Sequence, residues 1–420
     1  MAILSRLSDR WSTPVSSASL RLLQVCFGLI MAGEMIRYLV FGWVQTYYVE
    51  PAYHFSYPGF SWLQPAGETA MVSLFVFVGL MALCMVWGIG RRWPAALFTL
   101  GFGSIFLMDQ AYYQNHLYLV VLIGGLFTLN GLGRGESARL WMVDLMRLQV
   151  GVVYVFGGLA KLNADWLAGE PMTQWMSLRA DWAVIGPIVG HPSAGLWMSI
   201  LGMVFDLLIV PLLLWHRTRR WAFAGVVVFH TLNAVLFKIG VFPILMVALT
   251  TIFFAPSWCE RSTREVVAGP KTPVWVRAIC IAWVLTQVTV PMRSWAMVGH
   301  TSWTEEGHRF SWRMKLRSKV GRVVFHALDK ERGTHKILKP DDELTTYQAR
   351  RMATRPRMIL QYARHLAESL SSEGSGRWAV HADARASLNG RPSQSLVDPT
   401  ADLALPDADG EASWIVPLQR

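Results

Sequence analysis

Apolar stretches of membrane-spanning length recur along the chain up to residue 293, and they constrain the fold more than any other feature. A helix needs about 20 consecutive apolar residues to cross a bilayer, where only helices and closed barrels satisfy their own backbone hydrogen bonds. The chain is 53% hydrophobic and 16% charged, whereas soluble proteins average about 25% charged residues. The sequence therefore predicts a helical integral membrane protein.

We predict an all-α polytopic membrane bundle of about nine transmembrane helices (residues 1–293), followed by a small extracytoplasmic α+β domain (residues 294–420). The composition becomes polar after residue 293, which sets this boundary. The predicted spans are residues 19–41, 69–90, 94–113, 115–132, 142–161, 194–215, 221–237, 239–257 and 276–293.

Basic residues fall in alternate connections between these spans, as Arg91 and Arg92 do. Positive charge marks cytoplasmic connections, so the N-terminus is predicted to be cytoplasmic and the soluble domain, after nine spans, to lie outside the cytoplasm. The first apolar run carries Glu34 and Arg37 and lacks a clear cleavage site, so we do not expect it to be a cleaved signal peptide. The other basic residues used are Arg6, Arg10, Arg21, Arg134, Arg139, Arg217, Arg219, Arg220, Arg261, Arg264, Lys271 and Arg277.

The soluble part shows alternating and helical patterns. Residues 310–319 and 322–328 alternate and predict two strands joined by a turn at Gly321, and residues 344–372 have helical spacing. Residues 378–388 alternate again before the turn-forming pair Asn389–Gly390.

The net charge of +11 does not indicate nucleic-acid binding, because much of the basic excess lies in short connections between spans. We predict a lipid bilayer as a partner and no nucleic acid. The four cysteines form no CxxC pair and no metal-ligand spacing is present, so no metal is predicted.

Lys161 ends an apolar, glycine-bearing segment that begins at Gly151. A lysine at the end of a span is often an anchor whose ammonium group reaches the interface. Two glycines before it and the tryptophan-rich connection after it favour a second interpretation, in which Lys161 is desolvated and acts as a base.

Further polar residues lie at membrane depth. Asn115 and His116 are predicted on the same outer side as Lys161, and His230 and Asn233 share one helix face. Each could have a purely structural role. Asp109 and Asp206 are costly in lipid unless they face the bundle interior. Glu34 and Arg37 are predicted to form a structural ion pair.

Several strings together resemble the vitamin K-dependent γ-glutamyl carboxylase family and its bacterial relatives, the horizontally transferred transmembrane domain (HTTM) proteins. Their order along the chain carries the resemblance. The strings are Gln114-Asn-His-Leu-Tyr118 after Asp109, Gly158-Leu-Ala-Lys-Leu-Asn-Ala-Asp-Trp166, Asp206 in an apolar helix, Phe229-His-Thr-Leu-Asn233, Phe310-Ser-Trp312, Leu360-Gln-Tyr-Ala363, Asp398-Pro399 and Trp414-Ile-Val-Pro417.

The resemblance implies that Lys161 is the base that deprotonates reduced vitamin K, or menaquinol in a bacterium. In that family, reaction with O2 gives a strong base that removes a γ-proton from a protein glutamate, CO2 adds, and the quinone leaves as its epoxide. His116 would be a second catalytic residue, and Asn115, Tyr118, His230 and Asn233 would bind the cofactor. The substrate would be a glutamate-containing protein or peptide.

The sequence departs from the family pattern at two positions near Lys161. Ala160 stands where a second lysine is frequent, and Asn163 replaces an acidic residue. The second change predicts less negative charge near Lys161 than in the family pattern, which would favour the neutral amine. The chain also stops before a longer external region that animal enzymes carry, which leaves substrate recruitment open.

Two functions follow as hypotheses. The first is a quinol-dependent carboxylase of a bacterial inner membrane that couples epoxidation to carboxylation. The second is a non-catalytic quinone- or lipid-binding maturation factor for exported proteins. A transporter is less consistent with the sequence, because no internal repeat or pair of broken helices is visible.

Overall fold

The structure is a computed structural model that describes residues 10–131, 137–260, 272–373, 376–405 and 412–419. Five of the basic residues used to predict the topology lie outside the described residues. They are Arg6, Arg134, Arg261, Arg264 and Lys271.

Every range predicted as a span contains a helix in the described part of the chain. The helices are α1 (Ala18–Val40), α2 (Glu68–Trp87), α3 (Trp93–Met108), α4 (Asn115–Asn130), α5 (Leu140–Ala160), α6 (Ala194–Leu214), α7 (Arg219–Leu236), α8 (Phe242–Thr250) and α9 (Val274–Met292). Shorter elements are β1 (Pro14–Val15) paired with β2 (Ala138–Arg139), the π-helix Gln45–Val49, the 3₁₀ turns Gln110–Tyr112, Thr251–Phe253, Arg293–Trp295 and Pro340–Asp342, and the helices Ala164–Leu167, Met172–Ser177, Gly186–Val189 and Thr301–Thr304.

Nine crossings are not confirmed. Among the described residues, five helices are long and apolar enough to cross a bilayer: α1, α2, α5, α6 and Val274–Trp295, which joins α9 to its 3₁₀ turn. Helices α3 and α4 have 16 residues each. At 1.5 Å per residue such a helix extends about 24 Å, short of a hydrocarbon core of about 30 Å. Helix α7 begins with Arg219 and Arg220 and is less apolar.

Helices α5 and α6 pack closely at Gly158. A Cβ at this position would lie 2.8 Å from Cγ of Leu207, so a larger residue would force the helices apart. Small residues permit such an approach in a bilayer, where helices associate through packing contacts. The approach brings the end of α5, with Lys161, against the middle of α6.

The predicted hairpin at Gly321 is wrong. Strand β3 runs without interruption from Lys319 to Asp329, and residues 310–318 form no strand. Phe310, Trp312 and Lys315 have φ values of 62°, 54° and 54°, which interrupt an extended backbone. Glycine at position 321 instead permits close packing against Ala353, because a Cβ there would lie 2.5 Å from the Ala353 carbonyl oxygen.

The predicted helix over 344–372 is divided in two, α10 (Thr346–Met352) and α11 (Pro356–Glu373). Pro356 explains the break, because a proline disfavours the helical conformation of the residue before it. The strand predicted at 378–388 is confirmed as β5 (Trp378–Leu388). The turn at Asn389–Gly390 is also confirmed, with φ values of 48° and 80°.

The soluble domain is an antiparallel sheet covered on one face by α11. The strand order is β4-β3-β5-β6, with β4 at His335–Leu338 and β6 at Gln394–Ser395. Strands β3 and β5 pair from Lys319 opposite Leu388 to Asp329 opposite Trp378. Alternate residues of both strands point inward and pack on the helix, and the shared core contains Val323, Phe325, Ala327, Ala382, Ala384, Met358, Ile359 and Tyr362.

Polar contacts fix this domain to the outer ends of the membrane helices. Gln348 Nε2 donates to Asp109 Oδ2 at 2.8 Å, and Gln110 Nε2 donates to Gln361 Oε1 at 2.7 Å. Asp165 accepts two hydrogen bonds from Arg391, at 2.6 and 2.9 Å. Because Asp165 lies four residues after Lys161, the last contact ties the soluble domain to the chain that carries Lys161.

We expect Asp165→Asn to lower the melting temperature at neutral pH, because Arg391 loses a carboxylate partner worth about 1 to 3 kcal/mol. Hydrogen bonds from Arg391 and Asn389 lower the pKa of Asp165 below its ordinary value. An acid with a lowered pKa stabilises the folded state above its unfolded pKa, and this stability is lost as the pH falls through the folded pKa.

The difference in melting temperature between wild type and Asp165→Asn should therefore disappear on acidification below about pH 4. Thermal unfolding of the detergent-solubilised protein as a function of pH measures it. Asp181→Asn is the control, since Asp181 is an exposed acid of the same connection. A difference in melting temperature that persists at acidic pH would contradict the stabilising ion pair between Asp165 and Arg391.

Candidate functional site

A cavity of about 840 Å³ lies where the membrane helices meet the soluble domain. Helices α4 to α8 form its inner part, and the soluble domain closes its outer end with residues 308–317 and helix α10. Its walls are mainly apolar, as at Phe205 and Met246, while a few charged and polar side chains converge on it. Cavities of this kind are the usual sites for small ligands and cofactors.

Lys161 lies in this cavity and pairs with Asp206 of α6. Their side chains are joined by a 2.5 Å contact between Lys161 Nζ and Asp206 Oδ2, and Nζ also donates to the carbonyl oxygen of Gly157 at 3.1 Å. The two residues are only 6% and 5% exposed. The indole of Trp166 lies 5.4 Å from Nζ and covers the pair. This geometry excludes an anchor whose ammonium reaches water.

Lys161 has a carboxylate beside it although Asn163 replaces the acidic residue of the family pattern. Asn163 has a local role, because its side chain caps the helix Ala164–Leu167 by accepting from the Trp166 amide. The carboxylate comes instead from Asp206, which is distant in sequence. A buried carboxylate beside a buried amine makes a pair that can hold or pass a proton.

Four of the other predicted site residues line the same cavity: Asn115, His116, His230 and Asn233. Asn115 begins α4 and its Oδ1 accepts from the Tyr113 hydroxyl at 2.8 Å. Asn233 donates to the Phe229 carbonyl at 2.9 Å within its own helix. His116 is buried, and its ring packs near Phe242, with centroids 6.0 Å apart.

Tyr118 is not among the cavity-lining residues. Its ring packs against Trp312 and Phe310, with centroid distances of 5.2 and 4.9 Å. It therefore supports the segment of the soluble domain that closes the cavity.

The predicted ion pair of Glu34 and Arg37 is confirmed, with a 2.6 Å contact. Asp109 binds Gln348 and His54 outside the cavity.

A chain of hydrogen bonds fixes which nitrogen of His230 carries the proton. Thr250 Oγ1 donates to the Met246 carbonyl at 2.7 Å, so its oxygen is free to accept from the Tyr154 hydroxyl at 3.2 Å. Because the Tyr154 hydroxyl donates its only proton to Thr250, its oxygen accepts the hydrogen bond from His230 Nε2, at 2.9 Å. His230 Nδ1 is then an acceptor, and this buried atom has no hydrogen-bond partner among the residues that the structure describes.

The sequence analysis missed a group of cationic side chains from the soluble domain. Arg313, Lys315, Arg317, Arg351 and Arg355 line the outer end of the cavity. Burial, followed by repulsion from nearby guanidinium groups, lowers the pKa of Arg313 to about 10 and that of Arg355 to about 9. The density of basic residues in 309–319 was a visible signal, but the alternating pattern led us to predict a strand there.

The cavity wall reaches the apolar outer surface of the bundle between α6 and α7. Leu201 and Val228 line the cavity and are 63% and 59% exposed. Leu232 shows the same combination at 52%. Exposed apolar residues on such helices face lipid, so an apolar ligand could reach the cavity from the bilayer.

Two family models match the chain over nearly its whole length. The HTTM domain matches residues 12–258, and the vitamin K-dependent gamma-carboxylase lumenal domain matches residues 272–420. The chain belongs to the vitamin K-dependent γ-carboxylase family. No solved structure matches it.

Family membership and the apolar helices together make this chain a carboxylase-like integral membrane protein. The lumenal-type match assigns its C-terminal domain to the extracytoplasmic side. That match begins at residue 272 and so includes α9, whereas the sequence analysis drew the boundary after residue 293.

We expect Thr250→Val to move the His230 proton from Nε2 to Nδ1. Without the threonine oxygen, the Tyr154 hydroxyl can donate to Nε2, which must then be unprotonated. ¹⁵N NMR spectra of histidine-labelled protein report the tautomer, and the His230 signal is identified because it disappears in His230→Gln. Thr251→Val is the matched control, because Thr251 Oγ1 only donates to the Ala248 carbonyl. An unchanged tautomer in Thr250→Val would contradict the hydrogen-bond chain.

Proposed function

We propose that this protein is a quinol-dependent γ-glutamyl carboxylase in which the Lys161–Asp206 pair is the base. The buried contact between Lys161 and Asp206 inside a mainly apolar cavity carries the proposal. Family membership supports the reaction class. The overall change balances as a reduced quinone and O2 becoming the quinone epoxide and water, while a glutamate γ-carbon exchanges a proton for CO2.

The cavity residues fit a reduced quinone such as vitamin K hydroquinone or menaquinol. Phe205, Met246 and the lipid-exposed Leu201 offer apolar surface for a ring and a hydrocarbon tail. The unpartnered Nδ1 of His230 offers an acceptor for a hydroxyl group. When bound, the quinol would supply, through its oxidation by O2, the driving force that an amine lacks for removing a proton from carbon.

Lys161 would take the proton from the quinol hydroxyl in the state in which the proton shared by the pair lies on Asp206 and the amine is neutral, and Asp206 would then hold the resulting ammonium group in place by hydrogen bonding. Both residues are already buried and in contact, so the ammonium group that forms already has its partner. The Trp166 ring lies over Nζ on one side of the pair. Preorganisation of this kind lowers the barrier because charge develops where a partner is already positioned.

The other cavity residues have supporting roles in this proposal. His230 would orient the hydroxyl group through its Nδ1 acceptor, and Asn233 would shape the same wall. His116 of α4, whose ring packs near Phe242, would donate to the carboxylate or CO2 at the reacting carbon. Asn115 links this site to the soluble domain, since its Nδ2 lies 3.4 Å from the Arg313 carbonyl.

We expect Lys161→Ala to abolish epoxide formation from reduced vitamin K, with a loss of about 10²-fold or more. The assay uses protein in nanodiscs with bicarbonate, O2 and a glutamate-containing peptide. Lys330→Ala is the control, because it breaks another lysine–aspartate pair, with Asp402, on the surface of the soluble domain.

A buried aspartate left without its lysine can unfold a protein, so a double variant separates chemistry from folding. Lys161→Met combined with Asp206→Asn removes both charges. We expect it to regain thermal stability relative to Lys161→Ala and to stay inactive. Full epoxide formation in either variant would contradict the proposal. A wild-type protein that copurifies with a quinone and never turns over would instead support a non-catalytic maturation factor.

A further inference from the structure

Lys315 places an amine in the cavity without a carboxylate partner. Its Nζ lies 4.7 Å from the ring centroid of Phe237 and 5.2 Å from that of Trp175. Over the described ranges of the chain, this amine forms no ion pair and no hydrogen bond. The residue lines the cavity and its side chain is exposed there, so a small molecule in the cavity can reach the amine.

Two guanidinium groups act on this amine, and both have room for an acceptor. Arg179 and Arg351 are close enough to Lys315 for their positive charges to repel it. Arg351 lines the cavity and donates one hydrogen bond, to the Tyr347 hydroxyl at 2.7 Å. Arg179 lies over the same Phe237 ring as Lys315, at 5.4 Å, and its buried Nε has no hydrogen-bond partner in the described part of the chain.

These surroundings make the amine nucleophilic. Burial, followed by repulsion from Arg179 and Arg351, lowers the pKa of Lys315 to about 8. An amine with that pKa is neutral in about one molecule in ten at pH 7, whereas an ordinary lysine is almost entirely charged. A lysine beside apolar groups and other cations is activated as a nucleophile, because both disfavour the ammonium form.

We infer that Lys315 is a carbamylation site, at which Nζ takes up CO2 and the resulting carbamate is held by Arg179 and Arg351. The inference goes beyond the proposed function, because dissolved CO2 supplies the reactant without any turnover. The nitrogen lone pair forms a bond to the carbon of CO2, and the electron pair of one C–O π bond moves to oxygen. The nitrogen then releases a proton to water, so a neutral amine and CO2 give a carbamate anion and a proton.

The charge balance of the site favours the carbamate. The ammonium form of Lys315 is repelled by Arg179 and Arg351, whereas a carbamate is attracted by both. A guanidinium group can bind the two carbamate oxygens with two parallel hydrogen bonds, as it binds a carboxylate. The unused Nε of Arg179 would gain an acceptor by the same change.

Lys319 shows that a lowered pKa alone does not make such a site. Burial also lowers the pKa of Lys319, to about 7. Its Nζ, however, donates to the Trp303 carbonyl at 2.5 Å, and Glu305 Oε1 lies 4.0 Å away. A carbamate at Lys319 would break the first contact and bring a second negative charge to Glu305. Lys319 therefore separates the effect of geometry from the effect of pKa.

Chemical trapping tests the inference on full-length protein in phosphatidylcholine nanodiscs, with ¹³C-bicarbonate and without quinol or peptide. A triethyloxonium salt converts a carbamate into a stable ethyl carbamate, which mass spectrometry locates after digestion. We expect the labelled ethyl carbamate on Lys315 and not on Lys319 or Lys336, an exposed lysine of β4 whose Nζ lies over the Trp378 ring at 5.2 Å. Absence of the label from Lys315, or equal labelling of the three lysines, would overturn the inference.

Variants test the chemistry and the role of the guanidinium groups. Lys315→Arg keeps the positive charge and cannot form a carbamate, so the label should disappear. Arg351→Gln should raise the CO2 concentration for half-maximal labelling by about tenfold, because a charged hydrogen bond to the carbamate is lost. Arg350→Gln is the matched control, since Arg350 is an exposed residue of the same helix. Unchanged labelling in Arg351→Gln would also overturn the inference.

The labelling of wild-type protein locates the carbamate without any variant, so the test survives the unfolding of one of them. It is also separate from the carboxylase proposal, because no quinol is present and no turnover is measured. Failure of that proposal would show as absent epoxide formation with the Lys315 carbamate still trapped.

Discussion

The contact between Lys161 and Asp206 is the constraint on which the rest of the site depends. A lysine and an aspartate at this depth are tolerated because each neutralises the other, and removing one partner would leave an uncompensated buried charge. Gly158 permits the contact by letting α5 approach α6. Helix packing and cavity chemistry are therefore linked at the same turn of α5.

The soluble domain completes the cavity. Two contacts hold the segment 308–317: Tyr118 stacks on Trp312, and the Asn115 side chain contacts the Arg313 carbonyl. Arg391 forms an ion pair with Asp165, four residues after Lys161. The membrane helices thus supply the buried Lys161–Asp206 pair and the apolar wall, and the soluble domain supplies the cations at the opening. A lipid-soluble cofactor and a water-soluble peptide could then meet in one cavity from opposite sides.

The sequence predicted helix positions well, because hydrophobic runs and basic connections report directly on membrane insertion. The structure does not confirm nine crossings, because the 16-residue helices α3 and α4 are too short for their length alone to show that they cross the bilayer. Alternation misled us at 310–319, where positive φ values at Trp312 and Lys315 interrupt the extended backbone of a strand. Asp206 was identified as an inward-facing acid, yet its pairing with Lys161 depends on helix packing that spacing does not reveal.

The most direct test of the central claim is mass spectrometry of a glutamate-containing peptide after incubation with quinol, O2 and bicarbonate. The account predicts that the wild type adds the mass of one CO2 to the peptide and that Asp206→Asn, shown to be folded by its thermal unfolding, adds none. Carboxylation by Asp206→Asn at the wild-type rate would contradict the account, because Lys161 would then work without its buried partner.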